Sequence, residues 1–171
     1  MAGYRDKVVP IAKDTNEWRA ALKRLASNAA PSFVHVCAQL PEQGRTNQIL
    51  AATPNLSVVL KTYASGGENA LHAHPNEDHL FLILQGSAVF HGPAGESREV
   101  HKNDIVVLPR NSLYWFAARE GGEALVLLRI GAALDPEQDV LARINAKGEP
   151  FDGKDEANKP MPLVLGERWF E

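Results

Sequence analysis

Short apolar runs and turn residues alternate through the middle of the chain, about every eight to twelve positions. The runs are rich in β-branched and aromatic residues, and Gly, Pro and Asn stand between them, which is typical of β-strands joined by tight turns. No helical periodicity separates the runs, so the pattern predicts an all-β sandwich or barrel with its core at about 32–131. The predicted strands are Phe33–Cys37, Leu56–Tyr63, Leu80–Leu84, Ser87–His91, Arg98–His101, Ile105–Leu108, Leu113–Ala117 and Ala124–Ile130.

Helical patterns flank this core on both sides. Asp14 followed by Glu17 is a capping-box pattern, and it predicts an amphipathic helix at about 14–27. Asp135-Pro136 is typical of an N-cap followed by proline at the first helical position. We therefore expect a second, short helix at the start of a C-terminal extension that covers about 135–171.

Two further segments carry expectations of their own. Pro41–Gln48 is polar and is predicted to be a loop. The chain ends in Trp169-Phe170, and two exposed aromatic residues at a terminus would be unusual. We expect this pair to pack on the barrel or on a partner subunit.

Length and charge limit the class of protein. A chain of 171 residues can bury a core as one domain, 1–171, without disulfides, and its one cysteine, Cys37, is expected to be buried. The net charge of −3 argues against nucleic acid as a partner. No apolar run approaches 18 residues and no apolar leader opens the sequence, so we expect a cytoplasmic protein with no membrane partner.

Three of the six histidines fall in one short stretch. His72 and His74 are two positions apart, which on a β-strand places both imidazoles on one face. Pro75-Asn76 then breaks the strand, and His79 heads the next one, where it can point to the same place. Converging neutral imidazoles suit a divalent transition metal, so these three residues are the predicted ligands. A histidine-rich surface hairpin is the alternative.

Two carboxylates compete with His79 for the place of the third ligand. Glu77 and Asp78 are its neighbours, and either would complete a site of two histidines and one carboxylate, as in iron(II) oxygenases. His79 is preferred because its strand parity points it inward with Phe81 and Ile83. Both carboxylates are expected in the turn, where one can accept a hydrogen bond from a ligand. The other histidines lack ligand spacing and are expected at the surface or satisfied by neighbours: His35, His91 and His101.

The stretch resembles the first sequence motif of the cupin superfamily, which runs from a glycine through His-x-His to a glutamate and a second glycine. Gly66, His72, His74 and Gly86 match this motif. His79 stands at the position of the glutamate, at the expected distance from the closing glycine. The resemblance therefore implies a metal site in which imidazole replaces the usual carboxylate.

A later stretch resembles the second cupin motif. Asp104 and Pro109 match it, whereas Asn103 and Asn111 stand where glycines are usual and Tyr114 stands at the position of the last histidine ligand. The resemblance implies a double-stranded β-helix, the jelly-roll barrel, flanked by the two predicted helices. It also implies a homodimer, because many single-domain cupins pair and an open jelly roll leaves edge strands to cover.

The exchange of carboxylate for imidazole changes the charge of the site. Three neutral ligands leave the +2 charge of the metal uncompensated, which favours anionic oxygen ligands such as enolates and carboxylates. Tyr114 is the predicted catalytic residue, because its phenol can ligate weakly, donate a hydrogen bond to a substrate or act as an acid. Alternatively it only fills the barrel. The predicted substrate-binding residues are Phe81, Phe116, Tyr63 and Arg129, and for the last two an outward orientation stays open.

The resemblance implies a mononuclear metal-dependent enzyme for a small, oxygen-rich substrate that is aromatic or enolisable. We expect a dioxygenase with iron(II) first, and zinc, nickel, manganese or copper are the other candidate metals. A lyase, isomerase or decarboxylase that uses its metal as a Lewis acid is the alternative. A non-catalytic small-molecule-binding protein is the third possibility, since cupins also serve as sensors and storage proteins.

Overall fold

The computed structural model describes residues 8–153 and 155–171. Within them one α-helix, α1 (Thr15–Ala26), precedes twelve strands. The strands are β1 (Ala38–Gln43), β2 (Arg45–Thr53), β3 (Leu56–Tyr63), β4 (Gly66–Ala73), β5 (Glu77–Gln85), β6 (Ser87–His91), β7 (Ser97–His101), β8 (Ile105–Leu108), β9 (Tyr114–Ala118), β10 (Leu125–Ala133), β11 (Ile144–Asn145) and β12 (Val164–Phe170). A short 3-10 helix, Glu156–Asn158, lies between the last two strands.

The strands form two five-stranded antiparallel sheets that face each other. One has the order β2-β3-β10-β5-β8 and the other β11-β4-β9-β6-β7, while β1 and β12 form a separate pair. The all-β prediction and the jelly-roll fold are confirmed. The two large sheets stay separate in the described part of the chain instead of closing into a barrel.

The core between the sheets follows strand parity. In β5 the side chains of His79, Phe81 and Ile83 are buried, and Asp78 on the opposite face is exposed. Phe81 meets Phe116 of the facing sheet with ring centroids 5.8 Å apart. A second apolar layer lies on the outer face of the first sheet, where the β1–β12 pair covers it.

The N-terminal helix confirms its sequence signals. Asp14 caps α1, and its carboxylate accepts hydrogen bonds from the backbone N–H groups of Asn16 and Glu17, both at 2.8 Å. The apolar stripe of the helix packs Trp18 against Ile49 and Val59, on the inner face of the first sheet. The helix therefore covers the inner face of the first sheet beside its edge strand β2.

Two of the local predictions near the first strands are wrong. Phe33–Cys37 is not a strand, and the side chain of Phe33 is 94% exposed. Pairing begins at Ala38, which lies opposite Phe170 of β12. The segment Pro41–Gln48 is not a loop but belongs to β1 and β2, with register shifts on both sides of Pro41. In both segments, pairing with strands that are distant in the sequence determines the secondary structure, and local composition does not.

The predicted C-terminal helix is also wrong. The residues after Asp135 form turns, in which Gln138 N–H donates to the Asp135 carbonyl and Ala142 N–H to the Asp139 carbonyl. Ile144 then pairs with Ala73 in β11, so the segment is held by the sheet. The terminal aromatic residues do dock as expected, because β12 pairs with β1 and Phe170 packs on the outer apolar layer.

Two asparagines adopt the glycine-like backbone that the second motif requires. Asn103 has φ of 75° and Asn111 has φ of 65°, in the left-handed region that asparagine tolerates better than most residues. The turns of the motif are therefore kept although the glycines are not.

No helix among the described residues is both long enough and apolar enough to cross a membrane. The single-domain boundaries, the cytoplasmic location and the homodimer remain predictions.

Candidate metal centre

The three histidines of the first motif meet where the two sheets are joined. β4 belongs to one sheet and β5 to the other, and the short turn between them carries His74 and Asn76. The side-chain amide of Asn76 donates to the Asp135 carbonyl at 2.8 Å and accepts from the Asp135 N–H at 3.0 Å. The His74 carbonyl accepts from the Asn111 N–H at 3.0 Å. The turn is thus fixed on both sides.

His74 stands between the other two imidazoles. Its ring centroid lies 5.3 Å from that of His72 and 4.2 Å from that of His79, and all three side chains are buried. The donor atoms fall into two overlapping groups, each with mutual distances within 4.8 Å: Glu68, His72 and His74, and His74, Glu77 and His79. His74 belongs to both groups, and each also contains a carboxylate.

His72 and His74 both have ring nitrogens without a hydrogen-bond partner among the described residues. His72 Nδ1 lies 2.7 Å from the Ala70 carbonyl, which can only accept, so Nδ1 donates and Nε2 is the nitrogen left for another partner. That Nε2 lies 3.2 Å from Glu68 Oε2. In the part of the chain that the structure describes, neither ring nitrogen of His74 has a hydrogen-bond partner. Burial, and then the neighbouring His79, hold the pKa of His74 well below its usual range, so this ring is neutral.

His79 differs from them because its Nε2 is already engaged. This nitrogen lies 3.0 Å from Glu77 Oε2 and 2.7 Å from Arg129 Nη2. Burial and the charge of Arg129 lower the pKa of His79 to about 4. The structure therefore groups His74 with each of the other two predicted ligands, but it does not bring all three into one donor group, and open nitrogens are found on His72 and His74.

A bulge in β4 sets the orientation of His72. Glu68 lies opposite Phe116 and His72 lies opposite Tyr114. Between these two pairs, β4 therefore contains two more residues than β9. Ala70 lies within the bulge. Its N–H donates to the buried side chain of Asn158 at 3.1 Å, and its carbonyl is the group that accepts from His72.

Glu68 and Glu77 are each held by buried cations. Glu68 is paired with Lys61 in a short contact and with Arg143 at 3.3 Å, and Glu77 with Arg129 in another short contact. Burial alone would raise the pKa of each carboxyl, but the charges of Lys61 and Arg143 hold that of Glu68 well below its usual range. Arg129 lowers the pKa of Glu77 in the same way against the effect of burial. Both side chains are carboxylates at neutral pH.

The charges of the site do not balance. Lys61 and Arg129 are buried and Arg143 is largely so, which gives three cations against the two carboxylates. Burial lowers the pKa of Lys61 to about 8, and the neighbouring Glu68 partly offsets this shift. With neutral imidazoles the site carries one net positive charge.

The residues present fit a divalent metal ion. Histidine nitrogens and carboxylate oxygens are the donors that iron(II), zinc and related ions take, and His72 Nε2 lies 3.2 Å from a carboxylate oxygen of Glu68. Two acceptors that face each other need a proton or a cation between them. The cluster of histidines and glutamates is therefore compatible with a divalent metal.

The predicted catalytic tyrosine lies beside this cluster. The ring of Tyr114 is 4.6 Å from that of His72, and its hydroxyl donates to Glu68 Oε2 at 3.3 Å. Burial, and then the charge of Glu68, raise the pKa of the phenol well above its usual range, so it stays a donor. Its ring also contacts Phe81 and Phe90, so it fills core space as well.

The four predicted substrate-binding residues all face the interior. Phe81 contacts the ring of His79 edge-on at 5.9 Å, and Arg129 bonds Glu77 and His79. Tyr63 and Phe116 lie deeper, with ring centroids 5.4 Å apart. Among the described residues the Tyr63 hydroxyl has no hydrogen-bond partner.

Sequence reasoning missed several members of the site. Glu68 is one of them, although its strand parity is the same as that of His72 and points it to the same face. The expectation that Glu77 and Asp78 lie in the turn is wrong, because both begin β5. Glu77 is buried, whereas Asp78 is exposed and accepts from the Arg110 N–H. The remaining members gave no local signal in the sequence, since other elements bring them in: Lys61, Arg143, Ser57 and Trp18.

Comparisons with known proteins agree with the motifs. Residues 59–131 match the family model described as Cupin domain. The resemblance of this stretch to the cupin superfamily is therefore confirmed. No curated protein matches the chain.

Several solved structures are similar to parts of the chain. KdgF from Halomonas sp. is 24% identical, with 61% of this chain and 91% of that one covered, at a TM-score of 0.47. A cupin superfamily protein from Desulfitobacterium hafniense is 21% identical over 52% of this chain and 77% of that one, at 0.45. Pac13 from Streptomyces, a nucleoside dehydratase, is 13% identical over 62% and 83%, at 0.47.

Proposed function

We propose that this chain is a mononuclear metal-dependent enzyme for a small, anionic, oxygen-rich organic substrate. The observation that carries the proposal is His74, a neutral buried imidazole whose two nitrogens lack hydrogen-bond partners among the described residues. Leaving such a group unpaired costs about 1–3 kcal/mol. A bound metal ion satisfies it, and His72 and His79 lie on either side of it.

The donor set supports iron(II) as the metal. Each of the two donor groups contains two histidines and one carboxylate, which is the arrangement of non-haem iron(II) oxygenases. Zinc, nickel, manganese and copper accept the same donors and remain the alternatives to be distinguished by metal analysis. When bound, the metal supplies a Lewis acid and, if it is iron(II), a centre for reaction with dioxygen.

The residues of the chain supply charge and proton donors for the substrate. Lys61 and Arg129 favour an anionic ligand because the site carries an excess of positive charge even without the metal. Tyr114 offers a neutral phenol beside His72, and Phe81 forms an apolar wall next to His79. An aromatic or enolisable substrate with an acidic oxygen fits these surroundings.

A dioxygenase reaction, in which both atoms of dioxygen enter the substrate, is our first candidate. A lyase, isomerase or decarboxylase is the second candidate, favoured by the ammonium of Lys61 and the phenol of Tyr114 around Glu68, which can move protons without dioxygen. Oxygen uptake with a panel of β-diketones and catechols separates the two classes. Substrate turnover without oxygen consumption would favour the second.

Metal analysis of single variants tests the centre itself. His72→Ala, His74→Ala and His79→Ala should each lower the metal content of the purified protein sharply from one ion per chain. His91→Ala is the matched control, because His91 stacks on Trp115 with centroids 3.7 Å apart, outside the site. Full metal in His74→Ala would contradict the proposal. Full metal in His79→Ala alone would make Glu68 the third ligand, in the group with His72 and His74.

We also propose that two copies pair through β8, the edge strand of the first sheet. Its side chains Ile105 and Val107 are 59% and 62% exposed, and apolar edges of this kind are normally covered. Antiparallel pairing of two β8 strands about Val107 brings Asp104 of each copy opposite Arg110 of the other, which is complementary in charge. Light scattering should give a dimer, and Val107→Asp should give a monomer. A monomeric wild type at micromolar concentration would refute this pairing.

A further inference from the structure

The N-terminal helix places one side chain against the two cations that pair with the carboxylates of the candidate metal centre. The ring centroid of Trp18 lies 5.8 Å from Lys61 Nζ and 5.9 Å from the guanidinium carbon of Arg129. These two cations come from neighbouring strands of the first sheet and hold Glu68 and Glu77 respectively. Trp18 therefore spans both halves of the charged cluster. It lies outside the stretch that matches the cupin family model, residues 59–131.

The indole N–H of Trp18 is buried and unsatisfied. The residue is 9% exposed, and within the described chain Nε1 has no hydrogen-bond partner. Buried N–H groups nearly always find an acceptor, and a missing one points to a ligand or an ordered water. Lys61 and Arg129 cannot accept a hydrogen bond, so the required acceptor is absent from the groups over which the ring lies.

The helix is fastened well enough to hold that donor in place. The Ala12 N–H donates to the Asn47 carbonyl at 2.8 Å, just before the helix begins. On the solvent side, Arg19 is paired with Asp139 at 2.6 Å. The indole is thus positioned before any ligand arrives, which lowers the entropy cost of binding.

We propose that Trp18 is a substrate-binding residue and that the region beneath α1 is an anion-binding subsite. In it, the indole N–H donates to an oxyanion of the ligand, a carboxylate or an enolate, while Lys61 and Arg129 supply the positive charge. The subsite gives the proposed enzyme its preference for anionic substrates. This inference rests on the proposed function for the nature of the ligand.

Binding of oxalate tests the subsite without knowledge of the substrate. Isothermal titration measures the oxalate dissociation constant of the metal-loaded wild type, of Trp18→Phe and of Trp115→Phe. Both substitutions remove an indole N–H, but Trp115 stacks on His91 away from the site. Trp18→Phe should weaken oxalate binding by about tenfold or more, as expected for the loss of one hydrogen bond to a charged group. Trp115→Phe should leave it within about twofold. Metal content and melting temperature are measured for all three proteins.

A fluorescence titration gives an independent readout in case Trp18→Phe folds poorly. The double variant Trp115→Phe/Trp169→Phe leaves Trp18 as the one tryptophan, since the chain has three. Oxalate should then change its emission with the same dissociation constant as the calorimetric titration.

Equal oxalate affinity in wild type and Trp18→Phe would overturn the inference, and so would an emission of Trp18 that does not respond to bound oxalate. Absence of oxalate binding to metal-loaded wild type would overturn the subsite but leave the metal centre intact. A wild type without metal would contradict the proposed function instead. The titrations are then carried out on the metal-free protein, where Trp18, Lys61 and Arg129 must produce the same difference.

Discussion

The space between the two sheets has two halves of opposite character. At one end Phe81, Phe90 and Phe116 pack ring against ring, with centroids 4.8 to 5.8 Å apart. At the other end histidines, carboxylates and cations crowd together, and several buried polar atoms of the described residues lack partners. The same strands supply both halves: β5 carries His79 and Phe81 at successive inward positions.

The residues of the apolar half stabilise the folded state, whereas those of the polar half destabilise it. Burial of an aromatic side chain contributes favourably to stability, whereas buried charges and unpaired imidazoles cost free energy unless something satisfies them. Costly groups of this kind are typical of binding and catalytic sites, which is why the polar half is the candidate site. Four measurements test this contrast between the two halves.

The largest effect is expected in the apolar half. Phe116→Ala removes a fully buried ring that packs against Tyr63, Phe81 and Phe90. The free energy of unfolding should fall by about 3–5 kcal/mol, the usual cost of such a cavity. Urea denaturation of the metal-free protein measures it. A loss below about 1 kcal/mol would mean that this half does not carry the stability.

Acid should destabilise the metal-free protein because the buried histidines of the polar half take up protons only on unfolding. The folded pKa of His79 is about 4 and that of His74 is well below its usual range, both under the value of about 6.5 in the unfolded chain. Between these values the unfolded state binds protons that the folded state does not, so the contribution of these two histidines to stability is fully present well above pH 6.5 and is lost as the pH drops towards 4.

Each histidine contributes a slope of at most about 1.4 kcal/mol per pH unit, and the loss for His79 should reach about 3 kcal/mol. Glu68 and Glu77 have lowered pKa values, so their contribution is lost only below about pH 4.5. Urea midpoints from pH 8 to pH 5 measure the histidine window, and His79→Gln should flatten it. A flat profile in the wild type would show that these histidines are not held neutral by the fold.

Replacing His74 should not lower the stability of the metal-free protein, whereas an ordinary mutation in the core lowers it. His74→Leu removes two unsatisfied nitrogens and keeps most of the volume, so the metal-free protein should be unchanged or more stable by about 1–2 kcal/mol. The variant should at the same time lose its metal. A clear loss of stability would show that His74 has structural partners in the metal-free state.

The smallest effect on stability is expected at Tyr114, where the two halves meet. In Tyr114→Phe the carboxylate of Glu68 keeps Lys61 and Arg143, so the free energy of unfolding should fall by about 1 kcal/mol or less, with metal content unchanged. Oxalate affinity or turnover should weaken about tenfold, because a hydrogen bond to a charged ligand is lost. If the variant loses its metal, Tyr114 is a ligand, and if it behaves as wild type throughout, the ring only fills space.

The sequence predicts the residues of the apolar half better than those of the polar half. Alternation in β5 predicts Phe81 and Ile83 in the core, and the spacing of His72 and His74 predicts a shared face, because both follow from the period of a strand. Lys61 and Arg143 could not be assigned in this way. Lys61 lies on an inner face that parity alone cannot distinguish from the outer one, and Arg143 follows turns that were predicted to be helical. The errors at Phe33–Cys37 and Pro41–Gln48 have the same origin, since partners distant in sequence decide which residues pair.

The two-residue bulge in β4 makes the site sensitive to chain length as well as to residue identity. Between Glu68 and His72 the strand has four steps where its neighbour β9 has two, and Ala70 within this excess fixes His72 through its carbonyl. Deleting two residues there would restore a regular ladder and leave every inward side chain inward, so the fold would tolerate it. The carboxylate and the imidazole would then move relative to each other along the sheet. An insertion or deletion at this bulge would therefore remove the proposed metal site while the two-sheet fold remains.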